Sequence, residues 1–283
     1  MPTNPVSPVA IESMFIDELE TYRAQRREKD YELIDVREPS EYAAGHIPGA
    51  RLMPLSRFTN LLEALAPGKE LLFYCASGGR SMAAALMAAE SDLKPARVVN
   101  LQGGYMAWDG KELVDFPKVR LLTDKASLAD MLQEAIHLEK GAFRFYTLSS
   151  AQESAWAETG QKLVQWERRH AQAVYRLLEA SPRQEPLPPF DALFEALPGT
   201  ILEGGEPLEE AVKKLQGLPM SSCHAFAELA LDIEYRAYDL YRNAAAAAKD
   251  SAASEILREL AEQEKSHLSF IAKVFAACPP EAP

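Results

Sequence analysis

The stretch "FYCASGGRSMAAAL", residues 73–86, decides how the first half of this chain is read. An apolar run ends at Cys75. Four small residues follow, Ala76, Ser77, Gly78 and Gly79. Arg80 and Ser81 then open an alanine-rich run with strong helix propensity. A strand, a tight loop and a helix in that order put Cys75 at the C-terminal end of a strand, where open α/β sheets place their sites. The small residues let backbone N–H groups turn inward, and the helix N-terminus adds partial positive charge. A thiol held there can ionise in the range of roughly 3.5 to 7.5 instead of about 8.5. The residues alone leave two readings: a nucleophile in an anion cradle, or a buried structural thiol before a glycine turn.

Outward from this loop the chain alternates. Residues 11–30 read as a helix. "YELIDV" (31–36), "ELLFYC" (70–75) and "RVVNL" (97–101) read as short buried strands. Between them lie the turn-rich "EPSEYAAGHIPGARLMP" (38–54), a short helix around "RFTNLLEAL" (57–65) and the helix from Arg80. Short apolar strands separated by helices predict an α/β domain with a largely parallel sheet, residues 1–118. After Lys118 the pattern is purely helical. Residues 127–150, 151–180, 221–250 and 251–277 each carry a long amphipathic repeat. The Pro- and Gly-rich segment 181–207 is too long for a tight turn and reads as a crossover. Residues 119–283 are therefore expected to form an all-α, ferritin-like four-helix bundle, which makes the chain multidomain.

The totals narrow the function classes. The chain has 283 residues, a net charge of −12 and a pI near 5.0. An acidic surface argues against a nucleic-acid partner. No apolar run is long enough to span a membrane. "MPTNPVSPVA" (1–10) lacks the basic and apolar regions of a secretion signal. The three cysteines, Cys75, Cys223 and Cys278, form no CxxC pair, which excludes a rubredoxin-type or thiolate zinc site. Few and odd cysteines fit a reducing cytoplasm.

The helical half carries a second signal. Glu167 and His170 stand three apart, as do Glu264 and His267, so each pair shares one helix face. Glu139 and Glu234 lie on the other two long helices, each with a tyrosine seven residues on, Tyr146 and Tyr241. These spacings repeat. Glu234 follows Glu139 by 95 residues (234 − 139), as Tyr241 follows Tyr146 and as Ala230 and Ala237 follow Ala135 and Ala142. Glu264 follows Glu167 by 97 (264 − 167), as His267 follows His170. Two helix pairs therefore read as copies of one unit, pointing four carboxylates and two imidazoles inward. Glu134 and His137 have the same three-residue spacing, but they break the repeat, matching Leu229 and Asp232. They read as solvent-facing or supporting residues.

Two resemblances follow from these residues. "LIDVREPSEYAAGHIPGA", "YCASGGRS" and "NLQGGYMAW" closely resemble the signature stretches of the rhodanese family, over roughly residues 10–115. The resemblance implies that Cys75 carries a persulfide sulfur from a small donor such as thiosulfate to a thiophilic acceptor. Ala76, Ser77, Gly78, Gly79 and Ser81 would line the loop, and Arg80 would help bind an anionic donor. Asp35 and Arg37 would stand at the site rim or form an internal salt bridge, and His46 would serve the fold. Four residues separate Cys75 from Arg80, where phosphatases of this fold have five, so the pocket suits one sulfur atom better than a phosphate group.

The helical half, over roughly residues 124–277, resembles the rubrerythrin branch of the ferritin-like family. This implies two iron ions, or other divalent transition metals, held by Glu139, Glu167, His170, Glu234, Glu264 and His267. Tyr146 and Tyr241 would bond to the ligands or simply pack. The rubredoxin module of full rubrerythrins is missing, so an external electron donor is implied. The extra carboxylate that many rubrerythrins carry has no secure position, Glu158 being a weak candidate.

The reading that follows is a cytoplasmic homodimer in which a sulfurtransferase is joined to a non-haem di-iron oxidoreductase acting on peroxide or oxygen. The alternatives are a rhodanese enzyme with a metal-storing or redox-sensing bundle, and an interaction protein with two degenerate folds.

Overall fold

The computed structural model describes residues 9–151, 154–182 and 186–279. The first eight residues of the stretch read for a secretion signal, and residues 183–185 of the crossover, lie outside them. The chain divides into two compact units, Met1–Phe116 and Pro117–Pro283.

In the first unit, the strands are β1 (Ile11–Phe15), β2 (Tyr31–Asp35), β3 (Arg51–Leu52), β4 (Glu70–Tyr74) and β5 (Arg97–Gln102). The helices are α1 (Leu19–Ala24), α2 (Pro39–Ala44), α3 (Phe58–Leu61) and α4 (Gly79–Ala89). The strands form one parallel sheet in the order β1-β5-β4-β2-β3. β2 and β4 lie inside the sheet; β4 is apolar after Glu70, and every residue of β2 is buried, its Glu32 and Asp35 included, as in strands covered on both faces. Leu33, Leu72 and Val99 belong to the core on one face, while Ile34, Phe73 and Val98 belong to that on the other. The helix expected over 11–30 is corrected. Its first turn and a half is β1, a largely exposed edge strand paired in register with β5 from Ile11↔Val98 to Phe15↔Gln102. The ladder to β5 outweighs local helix propensity there.

In the second unit, α5 (Arg120–Thr123) leads into four long helices: α6 (Leu128–Ser150), α7 (Ala157–Ala180), α10 (Cys223–Ala247) and α11 (Ser251–Ala277). Side-chain caps begin three of them. Ser127 accepts from the Asp130 N–H, Ser222 from that of Ala225, and Asp250 from that of Ala252. One apolar core draws on all four, through Leu132, Val174, Tyr241 and Leu257 among others. The segment between α7 and α10 is not simply irregular: it holds α8 (Phe190–Ala196) and α9 (Leu208–Gln216). α8 exists because Phe190 and Phe194 have aromatic partners, Tyr175 and Phe143. The loop after α8 runs directly against α6. A Cβ on Gly141 would lie 2.0 Å from the Ile201 carbonyl oxygen, so only glycine allows this approach in mid-helix.

Cys223 and Cys278, 55 residues apart, are joined by a disulfide with a Cα–Cα distance of 5.6 Å. It clips the start of α10 to the end of α11. Among the described residues, no helix is long and apolar enough to cross a membrane.

Candidate active site and candidate metal centre

Cys75 follows β4 directly and is the one free cysteine, almost fully buried. The loop after it is tied down at its base. Tyr105 N–H donates to the Cys75 carbonyl at 2.8 Å and Met106 N–H to that of Ala76 at 2.9 Å. Gly78, with φ of +113°, is the N-cap of α4 and turns its N–H onto the Cys75 sulfur at 3.1 Å. The Ser81 hydroxyl lies 3.5 Å from the same sulfur. Burial pushes the thiol up. The Ser81 hydroxyl and the N–H groups of Ser81, Gly78 and Ser77 more than offset it, so the thiol sits below its ordinary range. The arrangement favours a thiolate held by backbone and hydroxyl donors, with the Arg80 guanidinium also acting on the sulfur.

Arg80 opens α4 as expected, but its guanidinium is paired with Glu41 of α2, Nη1 to Oε2 and Nη2 to Oε1, both at 2.7 Å. Asp35 and Arg37 are buried together. Arg37 donates to Asp35 Oδ2 at 2.6 Å and to the Gly45 carbonyl at 2.7 Å, and its guanidinium lies 3.9 Å from the centre of the Tyr105 ring. That favours the internal salt bridge over contact with a donor. His46 is likewise buried, stacked on Tyr42 at 3.8 Å.

In the second unit the six expected metal-binding residues converge. Glu139 comes from α6, Glu167 and His170 from α7, Glu234 from α10, and Glu264 and His267 from α11. Ligand atoms of Glu167, His170 and His267 lie within 4.8 Å of one another. So do those of Glu139, His170 and Glu264, and those of Glu234, Glu264 and His267. His267 Nδ1 is 2.8 Å from Glu234, 3.3 Å from Glu264 and 3.5 Å from Glu167. The tyrosines cross between helices: Tyr146 of α6 donates to Glu234 of α10, and Tyr241 of α10 donates to Glu139 of α6 at 3.1 Å. This reciprocal pair is the repeat made visible.

Sequence reasoning missed a fifth carboxylate. Glu203, on the loop between α8 and α9, is 1% exposed and groups within 4.8 Å with Glu139 and Glu167. Glu158 is exposed and pairs with Lys162 at 2.9 Å. Glu134 bonds to Lys125 at 2.7 Å and lies 3.4 Å from His137, so that pair has its own partners outside the cluster.

The cluster is chemically incomplete on its own. Glu139 Oε2, both oxygens of Glu167 and of Glu264, Glu203 Oε1, His170 Nδ1 and His267 Nε2 are buried without a hydrogen-bond partner. Burial, then neighbouring carboxylates, pushes Glu139, Glu167, Glu203 and Glu264 well above the usual carboxylate range. Glu234 is the exception. His267 and the hydrogen bonds outweigh its burial and hold it low. Burial and His267 drive His170 down to about 3, leaving a neutral imidazole. Against burial, neighbouring carboxylates, Glu234 first, raise His267, so without a cation its proton stands in for positive charge. Orphaned carboxylate oxygens with imidazole nitrogens are the donor set that divalent transition metals take, so the residues fit such ions.

Comparison with known proteins places the first unit. The rhodanese-like domain family matches residues 18–111. A sulfurtransferase of Allochromatium vinosum is 31% identical over 96 residues, which is 33% of this chain and 88% of that protein. YtwF of Bacillus subtilis is 40% identical over 101 residues, covering 35% of this chain and 95% of the relative. A crystal structure of a rhodanese-like domain protein from Staphylococcus aureus is 27% identical, with a TM-score of 0.33, and covers 37% of this chain and 98% of that one. The chain belongs to the rhodanese-like family through its N-terminal unit, and sulfur transfer is the family's activity that these relatives support.

Proposed function

We propose that Cys75 is the nucleophile of a sulfurtransferase and that the helical unit is a rubrerythrin-type, ferritin-like di-iron domain with oxidoreductase activity toward peroxide or oxygen. The observation that carries the first part is the Cys75 sulfur facing the Gly78 N–H and the Ser81 hydroxyl at the end of β4. A thiolate there attacks the outer sulfur of a sulfane donor. The donor's S–S bond breaks, a new one forms to Cys75, and the leaving group departs with the electron pair. The same N–H groups then hold the terminal sulfur until an acceptor thiophile takes it. Incubation with a sulfane-sulfur donor should add one sulfur atom to the intact mass, and Cys75→Ser should abolish the addition. Added mass that persists in Cys75→Ser would sink the assignment.

The second part rests on the orphaned atoms of the carboxylate–imidazole cluster. Glu139, Glu167, His170, Glu203, Glu234, Glu264 and His267 would hold two iron ions, which supply one-electron redox steps. Tyr146 and Tyr241 hold Glu234 and Glu139 in place through their hydroxyls. An external donor would supply the electrons. Protein from iron-replete medium should contain two metal ions per chain, and Glu167→Ala should lose both while Glu134→Ala keeps them. A folded wild-type protein with less than one ion per chain would rule this reading out.

A further inference from the structure

The cation expected to receive an anionic donor is already held. Arg80 is the one basic residue of the segment from Ala76 to Ser81, and both its terminal nitrogens face Glu41 at 2.7 Å. Glu41 stands in the first turn of α2, 39 residues away in sequence from Arg80. Its Oε2 also accepts from the Glu38 N–H at 3.0 Å, which fixes the carboxylate where Arg80 meets it. Two-pronged arginine–carboxylate pairs are the strong and directional kind. Arg80 in turn drives Glu41 down to about 2, so the carboxylate stays charged throughout the physiological range. The Gly78 N–H and the Ser81 hydroxyl meet the sulfur as neutral donors, and Arg80, which also interacts with it, brings a charge that Glu41 already balances.

The charge balance of the reaction then separates two donor classes. Thiosulfate reacts as Cys75–S⁻ + S–SO₃²⁻ → Cys75–S–S⁻ + SO₃²⁻, which keeps three negative charges at the site. A hydropersulfide in its protonated form reacts as Cys75–S⁻ + R–S–SH → Cys75–S–S⁻ + R–SH, the donor's proton leaving with the thiol, which keeps one. Repulsion among charges a few ångströms apart is poorly screened around a buried thiol. A free arginine would relieve it, and an arginine neutralised by Glu41 does so far less.

We infer that Glu41 is a specificity-determining residue: by holding Arg80 it makes the Cys75 site one for alkyl hydropersulfides, reacting in their protonated form, in preference to thiosulfate. This rests on the sulfur-transfer reading above and replaces thiosulfate as its expected donor. Glu41→Gln tests it, because glutamine can still accept from the Glu38 N–H while losing the charge.

The experiment measures kcat/KM of the full chain with thiosulfate and with a neutral alkyl hydropersulfide, using intact mass to confirm sulfur on Cys75. The wild type should prefer the hydropersulfide. Glu41→Gln should raise the thiosulfate-to-hydropersulfide ratio about fivefold, through KM for thiosulfate, the scale of one partly exposed ion pair. Adding Arg80→Gln should erase that gain. A wild type that prefers thiosulfate, or a ratio unmoved in a Glu41→Gln protein of unchanged melting temperature, overturns the inference and leaves sulfur transfer standing. A wild type that takes sulfur from neither donor overturns the sulfur-transfer reading, and the inference with it.

Discussion

The two sites solve burial in opposite ways. Cys75 is surrounded by donors that the fold supplies, so a buried anion is favoured with nothing added. The carboxylate–imidazole cluster is surrounded by its own kind. Its acids are pushed toward the neutral form, and most of its buried oxygens have no partner. Among the described residues, every buried side-chain nitrogen or oxygen without a hydrogen bond lies in the helical unit. A backbone loop can be built to stabilise one charge, because its N–H groups are fixed by the same glycines that make the turn. Four helices projecting acids to a common centre cannot, because each acid raises the cost of the next. The first site is complete as folded; the second calls for cations or protons.

That contrast breaks or holds on stability against pH, where the largest effect is expected. In the metal-free protein, Glu139, Glu167, Glu203 and Glu264 have folded-state values raised above their unfolded ones. The folded state therefore holds more protons. The stability this confers is complete below about pH 4.5 and is lost as pH rises through the raised values. Each proton involved is worth about 1.4 kcal/mol per pH unit in that window. Metal ions need the carboxylates ionised, so the loaded protein should show the reverse slope, gaining stability as pH rises. Chelated protein should melt lower at pH 8 than at pH 5.5. At neutral pH, iron(II) at a hundred times its dissociation constant should raise the melting temperature of the helical unit by roughly 5–10 °C. Parallel slopes with and without metal would mean that the two sites do not differ as argued.

How much of this was legible in the residues follows the same divide. The Cys75 loop could be read because its chemistry is local: strand, small residues and helix start are contiguous. The paired Glu and His could be read because helical spacing turns sequence distance into a shared face, and the duplication repeats it. Glu203 could not, since it sits on a Gly-containing loop with no period to count. A faint signal was available: an acid between the apolar pair Ile201-Leu202 and two glycines, in a segment that glycine at 141 allows against α6. Glu41 looked like an ordinary helix-start acid, because its partner is far along the chain. β1 was read as helix because an edge strand is specified by the strand beside it, here β5. The Cys223–Cys278 bond likewise depends on α10 and α11 lying antiparallel, which no spacing states.

The smallest expected effect concerns how the thiolate is shared between backbone and side chain. Among the donors that lower the thiol, the Ser81 hydroxyl ranks first after the opposing effect of burial. Its geometry argues for less. The hydroxyl has one proton, and three acceptors compete for it: the Cys75 sulfur at 3.5 Å, the Gly78 carbonyl at 3.0 Å and Asn100 Oδ1 at 2.6 Å. The Gly78 N–H at 3.1 Å has no such competition from the serine and is held by the turn itself. Ser81→Ala should therefore raise the midpoint of the thiol's pH–rate profile by about half to one pH unit, well short of what a full charge-assisted bond would give. Alkylation by iodoacetamide as a function of pH reads this directly, because the thiolate is the reacting form and the rate climbs as pH rises through the midpoint. A shift of about two units would make the side chain the main support of the anion. A midpoint that does not move would assign the effect to the N–H groups of Ser77, Gly78 and Ser81 together with Arg80, and leave the hydroxyl no part in it.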